Sequence, residues 1–190
     1  MNSQPSGHPA DQPGASPYTR GARDGLGFGL FLSVMFLNTV YSGQQAWFSL
    51  VAFAMMMAVP FIIYRCLRRS YIADGGTTLL SSLWMHGIMI FLCGSIIAGL
   101  VEVIWFKYVN PGFVVEQMKL MIELYRDYPW ERGREVASLL QSMIDNNMVP
   151  TTMAIVTEMI WLSVFSGSLL SVLMAVLVRA RKIPARPRKK

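Results

Sequence analysis

Residues Thr78–Pro111 read TLLSSLWMHGIMIFLCGSIIAGLVEVIWFKYVNP. From Leu79 to Phe106 nearly every residue is apolar. Such a run is long enough to cross a bilayer with some tilt. It closes on Asn110-Pro111, a pair that stops a helix. Trp105 and Tyr108 stand near its end, where amphipathic rings anchor a span at the headgroups. His86 and Glu102 interrupt the run, with Cys93 between them. Ionisable side chains inside a span are costly and face protein or water.

Three further apolar blocks lie outward from this stretch. They cover about residues 26–47, 47–64 and 151–178, with the quoted block giving a span at 79–108. The chain of 190 residues is 53% hydrophobic and 15% charged, with mean hydropathy +0.40. A soluble domain carries about a quarter charged residues, so the composition and the long blocks exclude an ordinary soluble fold. The expected fold class is an all-α membrane protein. It has four transmembrane helices, with an amphipathic helical hairpin between spans three and four.

That hairpin is read from residues 112–148, which mix acids and bases with spaced apolar residues. Val115, Met118, Met121, Ile122 and Tyr125 share one helical face, as do Val136, Leu139, Leu140, Met143 and Ile144. Tyr128-Pro129-Trp130 and Gly133 separate the two runs. Asn146-Asn147 ends the second run and Pro150 precedes span four. The hairpin either lies on the bilayer surface or caps the bundle.

The flanks follow from charge. Residues 1–20 are rich in Pro, Gly and Ser and read as a disordered tail. They lack the early basic and apolar regions of a secretory signal, so span one reads as an uncleaved anchor. A cleavable signal with a long leader is the alternative. Residues 21–182 form the membrane domain, and 183–190 a basic tail. The net charge is +6. Arg20 and Arg23, the Arg65–Arg69 cluster and the tail fall on one side of four alternating spans. The positive-inside rule puts that side, with both termini, in the cytoplasm. The tail reads as a topology anchor touching anionic lipid rather than as a nucleic-acid site.

Small residues mark packing faces. Gly21, Gly25 and Gly29 repeat every fourth residue, as do Ser163, Gly167 and Ser171, and such stripes let helices approach closely. For the first stripe a flexible lead into the span is an equal alternative. Met55-Met56-Met57 reads as adaptable packing. Cys66 and Cys93 have no metal-site spacing and are poorly placed for a disulfide. No metal, cofactor or nucleotide motif appears, and no catalytic one, so no enzyme is expected.

Three ionisable residues within spans are the candidate functional positions: His86, Glu102 and Glu158. His86 lies about 160° round the helix from Glu102 and roughly 24 Å along it, so the two cannot share a site in one chain. His86 is expected to be structural. Glu102 lies about 9 Å below the outer end of span three, and Glu158 about 10 Å below that of span four. At matching depth, with no Lys or Arg there, the two carboxyls are expected to form a coupled pair sharing a proton or, failing that, to face separate water pockets.

The chain resembles the bacterial membrane proteins grouped as domain of unknown function 4199. The resemblance covers roughly Gly25 to Lys182. Its most specific part is Tyr108-Val109-Asn110-Pro111-Gly112-Phe113. The acidic, Met-rich segment after it is similar, as are the Asp74-Gly75-Gly76 turn and the small-residue last span. The resemblance implies a four-span inner-membrane protein and implies no activity. Two functions remain. One is a structural or accessory component acting by helix–helix association, in a homo-oligomer or with a membrane-protein partner. The alternative is a small transporter or proton pathway using Glu102 and Glu158.

Overall fold

In the computed structural model, residues 16–43, 45–126 and 131–181 are described. Among them every regular element is helical: α1 (Pro17–Tyr41), α2 (Ala46–Ala73), α3 (Leu80–Ile104), α4 (Phe113–Arg126), α5 (Glu131–Asp145) and α6 (Thr152–Ala180). A π-helical turn, Trp105–Val109, extends α3. Four of these helices are long and apolar enough to cross a membrane: α1, α2, α3 with its π turn, and α6. The chain has the helices of a multi-pass membrane protein. Residues 1–15, the Tyr128-Pro129-Trp130 break and the 183–190 tail lie outside the described residues.

Three helix boundaries differ from the sequence expectation, one being the end of the first helix, at Tyr41 and not near Trp47. The first helix starts at Pro17, not near Leu26, so residues 17–20 belong to a helix and not to a tail. Ser16 Oγ accepts the Tyr18 N–H at 3.2 Å, and Pro17 fits the first turn, where its missing N–H would have had no partner. The second helix does not stop at Tyr64 but continues through Arg65, Arg68 and Arg69 to Ala73. Arginines are good helix formers. Termination waits for Gly75 and Gly76, with φ of 66° and 81°. Gly76 N–H donates to Tyr71 O at 2.9 Å and Gly75 N–H to Ile72 O at 3.0 Å, the paired bonds of a Schellman ending. The same device ends α5. Asn147 has φ 52°, and Met148 N–H donates to Met143 O at 2.8 Å.

The described chain divides into two compact units. One holds residues 1–99 and 159–190, the other residues 100–158. In the first, Phe28, Ile63, Leu67, Leu83, Ile90, Phe91, Ala175 and Val178 form the core. Here α3 is the central helix, with two registers. Against α1 it runs parallel: a Cβ added at Gly21 would meet Met89 at 2.5 Å, at Gly25 Cys93 at 2.7 Å, and at Gly29 Ile97 at 2.7 Å. Against α6 it runs antiparallel, with Gly87 on Ser171 and Phe91 on Gly167. Ser95 Oγ donates to Ser163 Oγ at 2.7 Å. At all these crossings a side chain on the small residue would push the helices apart.

In the second unit α4 and α5 pack on one another. Met118, Ile122 and Ala137 are buried. Trp105 meets Phe113 edge-on at 4.9 Å between ring centroids, so the π turn and the start of α4 share an aromatic cluster.

Candidate functional site

The polar residues of the first unit gather at one end of α1, α2 and α3. Arg20 and Asp24 lie one helical turn apart and so share a face of α1. Ser70 is in the last turn of α2, and Asp74 is the residue that caps it. His86 lies early in α3 and is 2% exposed. Its Nε2 is 3.1 Å from Asp24 Oδ2 and its Nδ1 is 3.1 Å from Ser70 Oγ. A carboxylate only accepts, so Nε2 carries a proton and donates to Asp24. Each ring nitrogen has a partner, and a buried imidazole so held is fixed in orientation.

Beside this chain runs a second one. Arg20 donates from both terminal nitrogens to Asp74, at 2.9 and 2.7 Å. Such a two-bond fork is stronger and more directional than a single contact. Thr78 Oγ donates to the same carboxylate at 2.9 Å. The Arg20 hydrogen bonds hold the Asp74 carboxyl below the usual carboxylate range, and the Thr78 bond adds to this. A cavity of about 20 Å³ lies between the two chains, lined by Arg20, Ser70, Asp74, Thr78, Ser82 and His86 among others. That volume suits a single water.

The order Ser70, His86, Asp24 has the connectivity of a nucleophile, base and orienting acid. Structurally the arrangement is a hydrogen-bonded lock between three helices. It ties α1 to α2 through Arg20–Asp74, and α1 and α2 to α3 through His86.

The other end of α3 differs. Glu102 is 7% exposed, and its Oε2 has no hydrogen-bond partner among the described residues. Glu158 is exposed on α6. Val156, two residues earlier and about 200° round the helix, is 4% exposed. One glutamate points inward and the other outward, and no hydrogen bond joins them among the described residues. The expected coupled pair is therefore not formed: matching depth along two helices does not fix rotation about them.

Of the other sequence candidates, Gly25 and Gly29 lie against α3 at Cys93 and Ile97, and Ser163, Gly167 and Ser171 against α3 at Ser95, Phe91 and Gly87. The sequence reading missed Asp24, Ser70 and Asp74 as partners of His86 and Arg20. The Arg20 and Asp24 spacing was a usable signal, because it places both on one face of a helix.

Over residues 23–180 the chain matches the family described as Protein of unknown function (DUF4199), and it belongs to that family. No curated protein and no solved structure matches it.

Proposed function

We propose that this member of the family is a structural or accessory component of the bacterial inner membrane, non-enzymatic, acting by helix–helix association through α6. The observation that carries this reading is the outward face of that helix. Glu158, Leu162, Phe165, Leu169, Val172 and Val176 are all exposed and recur at alternating intervals of four and three. That is the spacing of a helix-pairing seam. Glu158 heads the stripe, and a carboxylate in a span is unfavourable against lipid. A second copy or another membrane protein covering α6 would remove it from hydrocarbon.

Both termini are proposed to be cytoplasmic. In the first unit the basic residues of three helices lie at one end. Arg20 joins Asp74 after α2, and Arg181 stacks over Tyr64 at 5.6 Å. The α4–α5 pair is then the amphipathic hairpin, and the 183–190 tail contacts anionic lipid.

Co-purification from native membrane in mild detergent tests this reading. The expected result is a complex larger than one chain, lost in Glu158→Leu with Phe165→Ala. A monomer that brings nothing with it overturns it. One observation favours the second reading, a proton or ion pathway. It is the buried Oε2 of Glu102, which has no hydrogen-bond partner among the described residues. Proton flux into liposomes abolished by Glu102→Gln would support that reading over the first.

A further inference from the structure

A groove of about 470 Å³ opens at the charged end of the first unit. It is lined by Asp24, Arg65, Cys66, Arg69 and Ile72. The volume falls in the range of small-molecule sites, roughly 300–1,000 Å³. Arg65 and Arg69 are one turn apart on α2 and both are exposed, so their guanidinium groups reach one opening from the same wall. Two planar forks at that spacing match the oxygens of a phosphate better than those of a single carboxylate. Asp24 is the groove's acid, and its carboxylate also accepts from His86 at 3.1 Å. Two arginines and one carboxylate line the groove. Ile72 and the Cys66 side chain provide an apolar ledge beside the charges.

The position adds to the chemistry. Arg65 and Arg69 come directly after the apolar run of α2, which sets the groove at headgroup level in a membrane. The neighbouring Arg68 is not among the residues that line the groove. It donates to Tyr64 Oη at 2.7 Å and lies over that ring.

We propose that this groove binds a phosphate group, with Arg65 and Arg69 as its ligands and the ledge of Cys66 and Ile72 against whatever the phosphate carries. The phosphate comes either from an anionic phospholipid headgroup or from water.

The test uses the full chain in detergent, with dioctanoyl phosphatidylglycerol, dioctanoyl phosphatidylcholine and inorganic phosphate as probes. Cys66 supplies a readout that needs no substitution. A bound probe shields its thiol from N-ethylmaleimide, scored by peptide mass spectrometry with Cys93 as the internal reference. Shielding of Cys66 by phosphatidylglycerol but by neither other probe assigns a lipid headgroup. Shielding by inorganic phosphate as well assigns a phosphate from water. In either case Arg65→Gln with Arg69→Gln is expected to weaken binding at least tenfold, and Arg68→Gln to leave it within twofold. The proposal is overturned by equal labelling of Cys66 with and without every probe. Binding that survives the double variant, or phosphatidylcholine shielding as well as phosphatidylglycerol, also overturns it.

Discussion

His86 and Glu102 lie on the same helix, both almost wholly removed from solvent, and their surroundings differ in kind. His86 has a partner on each ring nitrogen. Glu102 keeps an oxygen with none among the described residues. The comparison separates two uses of a polar residue in a membrane helix. Where burial is matched by hydrogen bonds, the residue fixes neighbouring helices in one arrangement. Where it is not, no hydrogen bond among the described residues ties that oxygen into the arrangement.

The largest expected effect comes from breaking the satisfied end. His86→Ala strands the Asp24 carboxylate and the Ser70 hydroxyl. A buried group left without its partner costs about 1–3 kcal/mol, so the melting midpoint in detergent should fall sharply. A midpoint unchanged from wild type would mean that the three-helix lock holds nothing.

Next comes the packing beneath that lock. Gly25→Leu would force a side chain into Cys93, whose Cβ lies 2.7 Å from where a Cβ would stand. Overpacking costs about 1–3 kcal/mol, read as reduced folded yield on size exclusion. Gly27, two residues away, has open space around it. Gly27→Ala should be neutral or stabilising, by about 0.5–1 kcal/mol from helix propensity. Equal losses at both positions would remove the distinction between packed and open faces.

A smaller effect is expected from pH. The folded Asp74 carboxyl titrates below its ordinary value, chiefly through Arg20. Its contribution is therefore fully present above the unfolded carboxylate range and is lost as pH falls through the folded value. Asp74→Asn should lower the midpoint at pH 7, by about 1 kcal/mol for a pair in which Arg20 is buried and Asp74 partly exposed. The gap between variant and wild type should close in strong acid. A gap that widens on acidification would reverse the assignment.

The smallest effect belongs to the unsatisfied end. Glu102→Gln should move the midpoint least, since no hydrogen bond to Oε2 among the described residues is lost. A loss as large as that of His86→Ala would erase the contrast between the two ends.

Much of this was readable in the chain. Long apolar blocks disclose spans because a lipid-exposed backbone must bond within itself. The small-residue periods at Gly21–Gly29 and Ser163–Ser171 fall where α3 packs. The helix ends were less legible. Ser16-Pro17 starts a helix among polar residues, and the arginines after Tyr64 looked like a stop although they continue the helix. Side-chain partnerships were least legible. Depth along a helix follows from counting residues, but the face a residue presents depends on the rotation of its neighbours. For that reason equal depth suggests a Glu102–Glu158 pair, yet one is buried and the other exposed, while Asp24 and Ser70 meet His86 from two other helices without a shared motif.

The central claim is that α6 is covered in the membrane by another chain. A photo-crosslinking residue placed at Phe165, on the exposed stripe of α6, tests it in native membrane, with the same residue at the exposed Leu30 of α1 as the reference. The account predicts a crosslinked product of higher mass from position 165 and only lipid adducts from position 30, with the position 165 product reduced by Glu158→Leu. Lipid adducts alone at both positions would contradict it.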